Sequence, residues 1–373
     1  MPSRDLDATQ GIARAGDAHA EVARSSSPRD AGGSDAATPP FVSVVIVVRD
    51  EEANVARCLR QILGQDYPHE RLEVIVADGM STDRTRQVAE TFGGDDVKIR
   101  ILANPAFGPA QGLNLAIGAA SGSVIVRIDA RTVIGRDYVR RCVETLIATG
   151  ADNVGGVQRP LPSSGGLVRR AIELAMSHPF GVGGAEFRRG RRSGDVDTVY
   201  LGCFRREVFE RVGLFDEAVV SEDSDINYRI RRGGGRVYLN ADIVAYYDTR
   251  ENFRDFWWLY VRYGRRKAGF LLKHRRLAAA RQVALASFVG CLAVSGLASF
   301  SSGLSRMLFA GLLGVYVVGN LLVSTATALR LSQVTLVLPL AVAFTCIHFG
   351  WGVGFLTRLI RPRAGAHWGR RGL

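Results

Sequence analysis

Carboxylates recur at the ends of apolar runs in this chain. Asp50, Glu51 and Glu52 follow Val42–Val48, Asp78 closes Leu72–Asp78, and Asp129 closes the apolar part of VIVRIDAR, residues 124–131. A further group, Glu222, Asp223 and Asp225, precedes a stretch with Ile226 and Ile230 at helical spacing. Each group has a chemical use and a plainer one. Asp78 can accept hydrogen bonds from a base N–H or from ribose hydroxyls, or cap an Asx turn where Gly79 follows. Asp129, ionised at the end of an apolar strand, needs a partner. That partner is a divalent cation bridging a diphosphate, or an ion pair with Arg127 or Arg131. In the last group one carboxylate can take a proton from an attacking hydroxyl, and clustered acids split their pKa values in a way that helps. The plainer reading is a favourable helix amino terminus, capped by Ser221 or Ser224.

The elements that must position these groups are legible in the patterning. VSVVIVV, LEVIVAD, VKIRILA and GSVIVRIDA read as strands, most of them apolar throughout, as in a sheet covered on both faces. Asn54–Leu63, Arg84–Thr91, Gly112–Ala120 and Tyr138–Thr149 read as the helices between and after them. This βαβ series predicts an α/β domain with a mostly parallel sheet. Ligands of such sheets bind beyond the carboxyl ends of the strands, where Asp50, Glu51, Glu52 and Asp78 converge. No Gly-x-Gly-x-x-Gly follows the first strand, which argues against a nicotinamide or flavin site. No phosphate-binding Gly-x4-Gly-Lys-[Ser/Thr] loop is present either.

The flanks differ from this domain. Residues 1–40, rich in Ala, Ser, Gly and Asp and ending Thr38-Pro39-Pro40, are expected to be a disordered tail, without the apolar core of a secretory signal. The five cysteines are scattered with no Cys-x-x-Cys pair, so no disulfide framework or zinc site is expected. Val283–Ser305, Met307–Leu329 and Leu331–Thr357 hold no Asp, Glu, Lys or Arg, and each reaches the roughly 20 residues needed to cross a bilayer. The chain is therefore expected to be a multi-pass cell-membrane protein with about three spans over 283–357. Arg262, Arg265, Arg266, Lys267, Lys273, Arg275, Arg276 and Arg281 precede the first of them and place the soluble domain in the cytoplasm. The tail 358–373 is also basic, yet three crossings would put it outside. The net charge of +12 is accounted for by membrane lipids at these basic segments, with no need of nucleic acid. Phe253–His274 fits an interfacial helix with Trp257 and Trp258 at headgroup depth, or a packed helix of the catalytic domain.

In this order, the four pieces resemble family-2 glycosyltransferases, inverting enzymes of the GT-A (Rossmann-like) fold. Their "VIPxYNEE … VVDDGSTDGT" signature is written here VVIVVRDEE … IVADGMSTDRT, with Asp50 where Asn is usual and Ala77 in place of one Asp. The likeness covers roughly residues 41–270. The succinoglycan-type exopolysaccharide branch is matched further by RIDA, HPFGVGGAEFR (His178–Arg188), DTVYLGCFRREVFERVGLFDE (Asp197–Glu217), SEDSDINYRIR and YGRRKA (Tyr263–Ala268). The resemblance implies a nucleotide-sugar-binding catalytic domain over 41–252, a basic juxtamembrane segment over 253–282 and transmembrane helices after it.

The resemblance also assigns residues. Val48, Asp50 and Glu52 would line the nucleotide pocket, with Asp78 on the uracil or ribose. Asp129 would open the metal and diphosphate motif, binding Mg²⁺ or Mn²⁺. Asp223, beside Glu222, would be the catalytic base. Arg265 and Arg266 would help hold the diphosphate and acceptor. Arg131 stands where that motif usually has a second metal ligand, and an arginine can instead neutralise the diphosphate directly. Arg266 replaces the Trp of the Arg-Trp pair found in polymer synthases, which favours transfer of a single sugar. The implied activity is transfer from a nucleotide sugar, of the UDP class, with inversion, to a lipid-linked or glycan acceptor. The other reading of the altered motifs is a catalytically degenerate nucleotide-binding partner of a polysaccharide synthase. A sugar nucleotidyltransferase would carry a Gly-rich, Lys-containing loop where this chain has Arg49-Asp50-Glu51-Glu52.

Overall fold

The computed structural model describes residues 38–93, 96–161, 165–218, 221–275 and 280–361. The expected disordered tail, except for 38–40, lies outside the described residues, as do Arg276 and most of the basic tail.

The amino-terminal half winds as the βαβ series predicts: β1 (Val42–Val48), α1 (Glu52–Leu63), β2 (Leu72–Asp78), α2 (Thr85–Glu90), β3 (Lys98–Ala103), α3 (Pro109–Ala119) and β4 (Val124–Asp129). The chain goes on through β5 (Thr132–Ile134), α4 (Tyr138–Thr149), β6 (Asn153–Pro160), α5 (Leu167–Ala175), α6 (Pro179–Val182) and α7 (Glu186–Arg189). Then come β7 (Gly194–Asp195), β8 (Tyr200–Arg205), α8 (Arg206–Val212), α9 (Glu222–Arg232) and β9 (Val237–Tyr247). All described strands join one sheet in the order β3-β2-β1-β4-β8-β6-β9-β5, with β7 beside β9. Strands β3, β2, β1 and β4 are parallel; β8 runs against β4, and β6 against β8.

Strand alternation divides two cores. Val42, Val44, Ile46 and Val48 of β1 face Val55, Leu59 and Ile62 of α1. Val45 faces the opposite way, with Ile75 and Ala77 of β2, Leu113, Ala116 and Ile117 of α3, and Ile226 and Ile230 of α9. Burying an apolar side chain of this size is worth roughly 1.5–3 kcal/mol, so these rows fix the register. The register matters for function: Val48 lies opposite Asp78, and Val47 opposite Asp129. The chain leaves β1 for β2 and β3 on one side, then returns to β4 on the other. The crevice opened by that reversal is where open α/β sheets bind ligands.

The remaining helices are α10 (Phe253–His274), α11 (Ala280–Ala298), α12 (Gly303–Arg330) and α13 (Val337–Ile360). Among the described residues two segments are long and apolar enough to span a bilayer, Gly303–Arg330 and Val334–Ile360. The first of the three charge-free stretches is interrupted: α11 ends at Ala298 and its apolar part, Val283–Ala298, is shorter. Ser299–Ser301 form a turn there, and Ser302 caps α12. Helix α12 exposes Met307, Val315 and Leu322, as a lipid-facing helix does. Helix α13 instead packs into the molecule, with Phe344 and Ile347 against Phe256 and Tyr260 of α10 and Ile172 of α5. Phe253–His274 is thus a packed helix, although Trp258 remains exposed. Gly264 of α10 and Gly354 of α13 let the two backbones touch: a Cβ on either would collide with the facing helix's carbonyl, that of Trp351 or Val261. Small residues serve this close approach in membrane bundles.

Candidate active site

The turn after β1 and the loop after β2 interlock. Asp50, at φ +52°, a region Asp and Asn tolerate better than most residues, accepts from the Thr82 amide (2.7 Å) and hydroxyl (3.1 Å). Asp78, buried, accepts from the amide and hydroxyl of Ser81, which is the Asx-type cap. Glu52 pairs with Arg84, whose Nε donates over 2.8 Å, and this hydrogen bond holds the Glu52 carboxyl below its usual range. Val48 is fully buried and forms the floor beneath this turn, while its carbonyl accepts from the Gly79 amide (2.8 Å). Arg49 stacks 4.9 Å from the ring of exposed Phe107.

Across β1 the arrangement centres on Arg127, which sequence reading offers only as one of two partners for Asp129. Its buried guanidinium donates to Asp129 Oδ1 from Nε (3.1 Å), to Asp223 Oδ1 from Nη1, and meets Glu222 Oε1 from Nη2 at 3.5 Å. Burial opposes the charge, but Asp129, Asp223 and Glu222 outweigh it and keep Arg127 firmly cationic. Arg131 does not join Asp129: its Nε pairs with buried Glu51 at 2.7 Å. Arg127 was signalled by its place two residues before Asp129, on the same strand face.

Asp223 and Glu222 lie in the first turn of α9, and no side chain caps that helix. The expected caps Ser221 and Ser224 are thus not used; Ser224 Oγ instead accepts from Lys267 Nζ (2.6 Å). Asp223 keeps 38 % of its side-chain surface, but protein surrounds it deeply enough that burial pushes its carboxyl up to about 7, against Arg127 and helped by Glu222 and Asp129, while Arg266 opposes. Asp225, in the same first turn, is fully buried between Arg229 Nε (2.8 Å), Lys273 Nζ and His274 Nε2 (2.7 Å). Through Lys267, Lys273 and His274, α10 is bolted to α9. Arg265 is exposed on α10, with Arg266 half-buried beside it.

The structure therefore brings Asp129, Glu222, Asp223 and Arg266 together, with Asp50, Glu52 and Asp78 on the other side of β1. As for a metal, Asp129 spends one oxygen on Arg127 and is 43 % exposed. Three carboxylates around one guanidinium leave net negative charge, and Mg²⁺ commonly takes one or two carboxylates plus substrate phosphates. The residues fit a cation held by Asp129 and by ligand oxygens. Among the described residues no cluster of three or more His, Cys, Asp or Glu offers a cage of protein ligands alone.

Comparison with known proteins agrees with this fold. The profile "Glycosyl transferase family 2" matches residues 43–213. The chain is 28% identical over 331 residues to "Succinoglycan biosynthesis protein ExoA" of Rhizobium meliloti (strain 1021), spanning 88% of this chain and 97% of that one. It is 33% identical over 218 residues to "Glycosyltransferase AglE" of Haloferax volcanii, spanning 57% of this chain and 68% of the relative. Among solved structures, the mannosyltransferase PcManGT of Pyrobaculum calidifontis, in complex with GDP-Man and Mn²⁺, superposes with a TM-score of 0.54 at 21% identity over 91% of this chain and 96% of its own. That likeness shows the GT-A type fold.

Proposed function

The chain belongs to glycosyl transferase family 2 and is a glycosyltransferase, and on that premise we propose that it moves one sugar from a nucleotide-sugar donor, of the UDP class, to a lipid-linked or glycan acceptor in cell-surface polysaccharide synthesis. The observation that carries the reading is Asp223, a carboxyl titrating near 7 beside Glu222 and reaching Asp129 through Arg127. A base poised near neutral pH combines enough ionised form with enough basicity.

In this reading Asp223 takes the proton of the acceptor hydroxyl as its oxygen attacks the sugar C1. The diphosphate leaves from the opposite face, which inverts the anomeric centre. Arg127 holds Asp223 and Asp129 in one frame and keeps the base from drifting. Arg265 and Arg266 on α10 bring positive charge to the site, where fixed charge can meet the leaving group's growing charge and lower the barrier, whereas Arg131 spends its charge on buried Glu51. A Mg²⁺ or Mn²⁺ on Asp129, when bound, would neutralise the departing diphosphate. Asp78, with Asp50 and Glu52 framing the turn, takes the nucleoside. The similarity to a succinoglycan biosynthesis protein over 97% of that relative's length supports the polysaccharide setting. The two long apolar helices support a membrane-bound acceptor. The catalytic domain is assigned to residues 41–252 and to the cytoplasmic side.

Diphosphate release from membranes carrying the protein, measured across UDP-, GDP- and dTDP-sugars with lipid extract as acceptor, tests this. Release with one donor, lost in Asp223→Asn, is the expected result. Silence across the panel with acceptor present would favour a nucleotide-binding partner without catalysis.

A further inference from the structure

Arg188, in α7, is a buried charge in the wrong company. Its side chain is 8 % exposed, and its Nη1 is enclosed without a hydrogen-bond partner. Elsewhere the molecule pairs its buried charges: Arg127 with three acids, Glu73 with Arg100, Asp225 with Lys273 and Arg229. Burial opposes the charge of Arg188, and the groups that stand around it are the neutral phenols of Tyr260, Tyr263 and Tyr247, of which Tyr263 hydrogen-bonds it. The rings of Phe187 and Tyr263 stand 5.5 and 5.8 Å from its guanidinium carbon. None of the ion pairs among the described residues gives it a carboxylate. An unpaired buried charge is costly, and hydroxyls with one guanidinium make a donor set suited to an anion.

The surroundings say which anion. Along the sheet the order runs β2, β1, β4, β8, β6, β9, so Asp78 lies on one side of Asp129 and Tyr200 and Tyr247 on the other, at the same edge. Tyr200 bonds Thr132 (2.8 Å) and lies within electrostatic reach of the Asp129 carboxylate and beside the neutral phenol of Tyr263. The tyrosine cage thus continues from the active site, away from the nucleoside end. On its far side the segment that carries Arg188 is seated on the membrane helices. The Phe180 ring is 5.1 Å from Phe344, its carbonyl is 2.8 Å from His348 Nε2, and His178 Nε2 is 3.4 Å from Thr327 Oγ1.

We infer that Arg188, with Tyr260 and Tyr263, forms an anion site for the phosphate or diphosphate of a lipid-linked acceptor, at the junction of the active site and the apolar helices. The inference rests on the transferase reading above and adds to it the acceptor's anchoring group.

Binding to the full chain in detergent micelles tests it, with undecaprenyl diphosphate and UDP as separate probes. Arg188→Gln should weaken undecaprenyl diphosphate by about ten- to a hundredfold, the range for one charged hydrogen bond, and leave UDP unchanged. Asp78→Asn should do the reverse. Arg188→Lys should lie between wild type and Arg188→Gln. Tyr263→Phe, which leaves the arginine in place, should weaken the lipid several-fold and guards against a misfolded Arg188→Gln. Equal loss of UDP in Arg188→Gln would make this the donor's diphosphate site and overturn the inference. Unchanged lipid binding in all the Arg188 and Tyr263 variants would overturn it too. Wild-type protein that binds neither UDP nor another nucleotide sinks the donor reading itself, a separate outcome.

Discussion

At Asp223, burial lifts the carboxyl against the pull of Arg127, to about 7. The base must be ionised to act, so transfer should rise with pH up to about 7 and flatten above it; the pH profile of kcat/KM reads this in the free enzyme. Stability carries the opposite sign. The folded pKa stands above the unfolded value of about 3.9, so between those values the folded chain holds more protons, and stability falls as pH rises through that window. Asp223→Asn should therefore abolish transfer, spare donor binding, and raise the unfolding temperature at pH 8 but hardly at pH 4. Thermal melts at the two pH values check it; a lower melting temperature at pH 8 would mean that the Arg127 pair outweighs burial. Asp129 gives a second test. Chelating divalent cations should slow transfer, and Asp129→Asn should make the remaining rate indifferent to chelator, as measured by diphosphate release with and without EDTA. The acids at this scale were legible because each ends or begins an element. Arg127's triple pairing was not, because Glu222 and Asp223 lie 95 and 96 positions away in the chain. Nor was Arg131's pairing with Glu51, made across the β1 and β4 turns.

Elements set the precision of that chemistry, and α10 is the one that links both halves. It meets α9 through Lys267, Lys273 and His274, and it meets α13 backbone to backbone at Gly264 and Gly354. Gly354→Leu would wedge α13 away from Val261 and tilt α10, which shifts Arg266 relative to Asp223. A misplacement near 1 Å can cost about 10²-fold in rate, so transfer should fall by about that factor while the protein still fractionates with membranes. Gly319→Ala on α12, where an added Cβ meets nothing within 4 Å, is the neutral control. Equal activity in the two variants would mean that α10 does not need α13 to aim its arginines. The strands β1, β2 and β4 were readable almost to the residue, since fully covered strands are apolar throughout. The α10–α13 contact was not. Glycine in an apolar run signals close approach without saying to what, and the aromatic pattern of α10 suits a headgroup layer as well as a packed face.

For the whole molecule, the number of crossings decides where the basic carboxyl end lies. Three charge-free stretches would send it to the far side, against the rule that basic flanks stay in the cytoplasm. The structure separates them into one short helix, α11, and two of spanning length, and a pair of crossings returns the end to the side of the catalytic domain. The two clusters of arginines before α11 and after α13 would then face the same anionic leaflet. The conflict in the sequence arose because composition counts apolar residues and does not see the turn at Ser299–Ser301. Cysteine labelling checks the outcome in a background with native cysteines replaced. Glu90→Cys, on the exposed end of α2, and Arg361→Cys, just past α13, should both resist a membrane-impermeant maleimide in intact cells and both react after permeabilisation. Labelling of Arg361→Cys alone in intact cells would make α11 a third crossing and put the catalytic domain and the carboxyl end on opposite faces.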